Sequence, residues 1–478
     1  MKEERLPPEL LKLAGILLVG AVAVQLDATI VSVALATLAR DFAAPLSTIQ
    51  WVSTAYLLAL GMVIPLAGWS VDRFGAKRMW MLSIVLFGAG SALCGAAWSA
   101  GSLIAFRAVQ GAGGGLLIPL MQAILAQAAG PRRLGRLMAA VAVPALVAPI
   151  VGPVIGGAIL NGLSWRWIFF LNVPVCALAL GLAWRGMADA RERADQRLDV
   201  LGLALLSPAL AAIVYGFSEA GTRNGFGGPH VLVPLALGVA LLVAFVVHAL
   251  RTRGEPLIDV LLFRVRSFTA SAGLMFLGGL SIFGSMLLLP LYYQQARGDS
   301  PLAAGLALAP QGVGMMIALA VAGRLADRIA PRPIVLVGMA LATLGTIPYA
   351  LVGPGTSELA LAAALVLRGA GLGAVLVPAM TAGYRDLSPE AIPRATSAVR
   401  SVQQVGASFG TAVLAVILQH AAAGHALPAA FGQAFWWALG FTVLTLVPAL
   451  LLPGQATGGG VPSALAASDS SHSQTAHA

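Results

Sequence analysis

GWSVDRFGAKR occupies residues 68–78 and GRLADR occupies 323–328, so the pattern Gly-x-x-x-Asp-Arg recurs at an offset of 255 residues. Each copy follows an apolar run long enough to cross a bilayer. Applied to the first apolar run, the same offset places a helix at 269–291. Applied to the fifth, it places one at 391–415, and apolar runs stand at both positions. Arg107, in a glycine-rich run closed by Pro119, is echoed by Arg368 and Pro378. The repeat divides the chain into a six-helix bundle at 1–186, a two-helix insert at 187–266 and a second six-helix bundle at 267–452. Duplicated helical bundles with a site between them are a secondary-transporter architecture.

The composition agrees. Of 478 residues, 59% are hydrophobic and 10% are charged, and the mean hydropathy is +0.88. Soluble domains are about a quarter charged, so this chain lacks the polar surface to cover itself in water. The expected fold class is all-α and membrane-integral. An apolar helix needs about 20 residues to span a bilayer, and fourteen segments reach that length. They fall near 14–36, 49–69, 79–99, 102–126, 136–160, 165–184, 199–219, 230–250, 267–293, 302–324, 333–352, 357–381, 396–420 and 430–452. Met1–Lys12 is charged and the first span is long, unlike a cleavable signal peptide. Residues 453–478, rich in Gly, Ser, Ala and His, are expected to form a disordered tail.

Charge orients these spans. With both termini cytoplasmic, 23 of the 29 Lys and Arg residues lie on the cytoplasmic side, Arg400 among them. Four (Arg40, Arg166, Arg223 and Arg297) lie opposite, while Arg107 and Arg368 fall within spans. Such a bias satisfies the positive-inside rule and accounts for the net charge of +10 without a nucleic-acid partner. Arginine outnumbers lysine 26 to 3, a bias that, with the alanine content, points to a GC-rich bacterial genome and hence to the bacterial inner membrane. The expected partners are the lipid bilayer, a small-molecule substrate and protons, and the chain is expected to be a monomer.

Asp27 is the one acid placed well inside a span. A carboxylate at a helix centre costs about 2.5–3.5 kcal/mol on insertion scales, so it needs a partner or a cavity. Counting 1.5 Å per residue, Asp27 on the outward-running first span and Arg107 on the inward-running fourth lie at nearly the same depth. Burial disfavours the charged carboxylate and a neighbouring arginine favours it. Those opposing effects suit a group that takes up and releases a proton, and they equally suit an ion pair that joins two helices. Gln110, Phe283, Tyr293, Gln311, Met315, Arg368 and Gln404 fall at membrane depth. Aromatic, amide and methionine side chains together suit a cavity for large amphipathic ligands.

In GWSVDRFGAKR, Gly68 and Gly75 allow a tight turn, and Asp72 and Arg73 carry the charge. Asp72 is placed to meet the positive N-terminus of the thirteenth span. Its repeat at Asp327 marks both as candidates for a conformational switch. The fifth span holds Gly152, Pro153, Gly156 and Gly157. Small residues there permit close helix approach and prolines bend the span, which fits a hinge or a seal between bundles. Gly111–Gly115 and Gly369–Gly373 follow no strand, so they are not dinucleotide loops. No phosphate-loop lysine pattern is present, and neither a cofactor, a metal nor an enzyme activity is expected.

GWSVDRFGAKR resembles the loop motif of the major facilitator superfamily, and RAVQGAGGG (107–115) resembles its fourth-helix arginine motif. APIVGPVIGG (148–157) resembles its antiporter motif, with Ala148 where glycine is usual. LDATIVSVAL (26–35), SWRWIFFLNVPV (164–175) and EPLIDVLLFRVRSF (255–268) look like the 14-helix drug/proton antiporter branch. The resemblance implies proton-driven export of amphipathic drugs or antibiotics by alternating access. It implies that Asp27 takes part in coupling with Arg107 assisting, that Asp72 and Arg73 govern the switch, and that the fifth-span glycines limit leak. A dedicated exporter of a single metabolite, such as a self-made antibiotic, is the alternative. Asp27 stands nearly alone among membrane acids, which argues against multivalent cations as cargo.

Overall fold

A computed structural model describes residues 7–129, 133–145, 147–188, 197–222, 225–252, 254–326, 329–352, 356–388 and 391–452. Asp327 and the tail at 453–478 lie outside the described residues. Within them the chain is helical and holds no strand. The first group of helices comprises α1 (Pro8–Asp41), α2 (Leu46–Val63), α3 (Leu66–Phe74), α4 (Ala76–Gly95), α5 (Ala100–Ala129), α6 (Leu134–Ala145), α7 (Val147–Gly162), α8 (Arg166–Phe170) and α9 (Asn172–Gly186). α10 (Val200–Thr222) and α11 (Pro229–Arg251) follow as a hairpin. The second group comprises α12 (Arg266–Leu291), α13 (Pro301–Ala307), α14 (Ala309–Ala326), α15 (Pro331–Ala350), α16 (Glu358–Tyr384), α17 (Ile392–Gly424), α18 (Leu427–Leu444) and α19 (Leu446–Leu451).

These runs are helical because every backbone polar group in hydrocarbon needs an internal partner, and a helix supplies it locally. Prolines open α1, α11, α15, α17 and α18 in the first turn, where the missing N–H costs nothing. α2 and α3 meet at a 55° bend on Ile64 and Pro65. Gly75, at φ 81°, ends α3 and starts α4 with its N–H on the Val71 carbonyl at 2.9 Å. That left-handed position favours glycine.

Among the described residues, twelve helices are long and apolar enough to span a membrane, and the bent α2–α3 pair makes thirteen. The fifth expected span, 136–160, falls on α6 and α7, either side of residue 146, which is not described, and the expected total of fourteen is not reached among the described residues.

The members of the first group pack chiefly on one another, as do those of the second. α10 lies against both, touching α2 and α17. Direct packing between the groups joins α3 and α5 to α17, and α6 to α14 and α16. Gly68, Gln122, Met380, Arg394, Ser397 and Arg400 make contacts between the groups, toward the end where α3 gives way to α4 and α16 to α17, beside Arg73, Arg78, Arg385 and Arg394. That end, the basic end below, is where the two groups meet.

Candidate functional site

Close glycine packing positions the site. A Cβ on Gly111 would lie 2.4 Å from the Tyr56 carbonyl oxygen, one on Gly113 2.4 Å from the Phe87 nitrogen, and one on Gly115 2.5 Å from the Leu60 oxygen. α5 is therefore wedged between α2 and α4 at a distance that only glycine permits, which carries Arg107 and Gln110 into the bundle interior. The second group repeats the device. Cβ atoms on Gly369, Gly371 and Gly373 would meet Gln311 O, Ala342 N and Met315 O at 2.0, 2.2 and 2.4 Å.

Asp27 and Arg107 are brought together, 0% and 1% exposed. Arg107 Nη1 donates to Asp27 Oδ2 at 2.6 Å. Gln110 Nε2 and Asn172 Nδ2 each donate to Asp27 Oδ1 at 2.9 Å, and both also reach Ser91 Oγ, at 2.7 and 2.9 Å. Arg107 Nε donates to the Val52 carbonyl at 3.1 Å and its Nη1 to Gln110 Oε1 at 2.6 Å. The guanidinium lies 4.0 Å above the centre of the Tyr56 ring. A buried ion pair persists only when its remaining hydrogen-bonding capacity is met, and here five helices meet it. The sequence pattern placed Gln110 in a substrate cavity, and the structure puts it on the Asp27 carboxylate. Asn172 and Ser91 are the partners that the sequence reading misses. The signal for Asn172 was a lone amide in an otherwise apolar run, at the point where α8 gives way to α9.

α7 packs beside this pair. A Cβ on Gly152 would lie 2.2 Å from Thr29 Oγ1, and one on Gly156 2.8 Å from Ile30 Cγ1. The fifth-span glycines thus lean on α1, in their own bundle, two and three residues beyond Asp27. Gly157 faces open space, and nothing is described of the Pro153 side chain.

At the basic end, α3 docks on α17. The Gly68 N–H donates to Ser397 Oγ at 3.0 Å, and a Cβ on Gly68 would meet Arg394 Cα at 2.9 Å. Arg394 Nε lies 3.5 Å from Asp72 Oδ2, and its Nη2 bonds Glu255. Asp72 therefore lies against the first turn of the thirteenth span, with a cation on that turn. Arg73 is half-buried in the last turn of α3.

The remaining cavity candidates are dispersed. Arg368, 2% exposed, donates to Gln311 Oε1 at 2.9 Å and to Ser285. Tyr293 is buried with its hydroxyl 2.9 Å from that of Tyr349. Met315 and Gln404 are half-buried, and Phe283 is 41% exposed. In the second group, a cavity of about 20 Å³, space for one water, is lined by Leu274, Gly278, Ile282, Leu372 and Gln403 among others.

Two duplicated helical groups, apolar enough to span a bilayer and holding a satisfied ion pair at their depth, define a multi-pass membrane transporter architecture. The profile of the Major Facilitator Superfamily matches residues 17–411, and the chain belongs to that family. It is 42% identical over 419 residues to the "Multidrug resistance protein B homolog" of Mycobacterium tuberculosis (strain ATCC 25618 / H37Rv), covering 87% of this chain and 78% of that one. It is 31% identical over 390 residues to the "Lincomycin resistance protein LmrB" of Listeria innocua serovar 6a, covering 82% of each. Among solved structures, a double-tryptophan mutant of XylE superposes with a TM-score of 0.69 at 16% identity, over 94% of this chain and 97% of that one. The fold is that of the superfamily.

Proposed function

We propose that this chain is a proton-coupled antiporter that exports amphipathic drugs or antibiotics from a bacterial cytoplasm. The observation that carries the reading is the Asp27–Arg107 pair, fully buried at membrane depth and held by Gln110 and Asn172. Protonation of Asp27 removes one charge of the pair and leaves Arg107 uncompensated, so a proton taken up there shifts the balance between packings of α1, α5 and α9. Relatives named for multidrug and lincomycin resistance support drugs as cargo.

The basic end faces the cytoplasm by the charge rule, and the bundles meet there, as expected of an outward-facing state. Asp72, Arg394 and Ser397 hold that closure, and the inward-facing state requires them to part. The two bundles, 1–186 and 267–452, are the bodies that rock, and the monomer is the working unit.

The test is reconstitution in proteoliposomes with an imposed pH gradient. Accumulation of a fluorescent drug-like dye that follows the gradient and collapses with a protonophore is the expected result. Dye movement indifferent to the gradient would remove proton coupling.

A further inference from the structure

Two cations in the second bundle have no counter-charge among the described residues. Among the described residues, Arg368 donates to Gln311 and Ser285. Arg400 Nε donates to Gln122 Oε1 at 2.6 Å and Nη1 to Gln403 Oε1 at 2.7 Å. No ion pair among the described residues involves either arginine. Both lie well inside spanning helices. Arg368 is ten residues into α16 and Arg400 eight residues into α17, about 15 and 12 Å from the helix ends. The first bundle solves the same problem differently, since Arg107 is neutralised by Asp27. At the repeat offset of 255 the second bundle has Ile282 where the first has Asp27.

Of the two, Arg400 is placed to meet cargo. Gln122 belongs to α5, so the Arg400–Gln122 bond crosses the boundary between bundles, and Gln122 Nε2 also touches Met380 Sδ at 3.7 Å. When the bundles part at the basic end, Gln122 withdraws with α5. Arg400 then faces the opened space with one of its two partners gone. In a low-dielectric wall such a cation attracts anions strongly, and guanidinium matches carboxylate and other planar oxyanions with paired N–H donors. Arg368, deeper in the same bundle, adds to the field without needing to touch the ligand.

We infer that the preferred cargo is an organic anion, an aromatic body that carries carboxylate or comparable acidic groups, and that Arg400 receives one such group. The inference rests on the export reading, and its test is separate from it. Purified protein in detergent is titrated with 5-carboxyfluorescein and with the cation ethidium, and binding is followed by anisotropy. Native protein binds 5-carboxyfluorescein more tightly. A hydrogen bond to a charged group is worth roughly tenfold to hundredfold in affinity. Arg400→Gln therefore weakens 5-carboxyfluorescein by about that factor, while Arg400→Lys retains most of it. Gel filtration and tryptophan fluorescence check that each variant is folded. Should Arg400→Gln not fold, the comparison of the two dyes on native protein and on Arg400→Lys decides.

Preference for ethidium by native protein, or unchanged 5-carboxyfluorescein affinity in folded Arg400→Gln, overturns the inference. Transport of the same dyes under a pH gradient separates the two claims. Anion-selective binding without movement of either dye would sink export and leave the anion site standing. Gradient-driven ethidium movement with no anion preference would do the reverse.

Discussion

Arg107 lies 80 residues beyond Asp27 in the chain, yet its Nη1 donates to Asp27 Oδ2 at 2.6 Å while the guanidinium plane covers Tyr56 at 4.0 Å. Removing one partner of a buried pair costs about 3–5 kcal/mol because the other charge is stranded. Asp27→Asn is expected to lower the melting temperature and to uncouple dye movement from an imposed pH gradient. Asp27→Glu, which keeps the charge, should retain some gradient dependence. Full coupling in Asp27→Asn would make the carboxylate structural.

Gly152 and Thr29 offer a test of how α7 bears on that pair. A Cβ at 152 would sit 2.2 Å from Thr29 Oγ1, well inside contact distance. Overpacking of this kind costs about 1–3 kcal/mol, so Gly152→Ala should melt several degrees lower in a tryptophan-fluorescence ramp. Combining it with Thr29→Ala removes the obstructing hydroxyl and should restore much of the loss. Additive losses in the double variant would mean that α7 does not lean on Thr29.

Much of this architecture was legible in the sequence because repetition and charge bias average over many residues. The 255-residue offset and the GWSVDR/GRLADR pair located both bundles, and the glycines at 111–115 and 369–373 fill equivalent packing roles. The depth of Asp27 and Arg107 followed from counting residues along two helices. What counting does not give is the direction a side chain takes around its helix. Gln110 thus read as lining for a substrate cavity when it faces the carboxylate. Asn172 lies inside the expected span 165–184 and the SWRWIFFLNVPV stretch, with nothing in the spacing to mark which way its amide points. Arg400 was grouped with the cytoplasmic connections because its span was begun at 396, whereas Pro393 opens α17 earlier and carries Arg400 two turns inside.

The docking of α3 on α17 is expected to depend on Gly68. Any side chain there meets the Arg394 backbone, with Cα at 2.9 Å, and backbone cannot swing aside as a side-chain tip can. Gly68→Val is expected to prise α3 from α17 and to break the Gly68–Ser397 hydrogen bond. A cysteine at Ser401, one turn further along α17 and buried here, should then react faster with a maleimide applied from that end, while the Ser397 acceptor stays in place. The native Cys94 and Cys176 are both buried and give a low background. Equal labelling in the presence and absence of Gly68→Val would show that this contact does not hold the end shut.

The insert is pinned by Asp199, just outside α10. Its Oδ1 accepts the Gly202 N–H at 2.8 Å, capping the helix, and lies 2.8 Å from His248 Nε2 on α11. Oδ2 accepts the Leu257 N–H at 3.1 Å, tying the hairpin to the segment that leads into α12. Burial works to raise the carboxyl, but the bonds from Gly202, His248 and Leu257 outweigh it and hold the group below the usual carboxylate range. A depressed native value means that the stabilisation is present above the unfolded carboxyl's titration, at about pH 4, and is lost as pH falls through the native value. Asp199→Ala should therefore cost about 0.5–2 kcal/mol near neutrality, as lost helix caps do. The deficit should narrow as native and variant are melted at successively lower pH. A deficit that stays constant down to strongly acid conditions would mean that packing, and not the charged cap, fixes the hairpin.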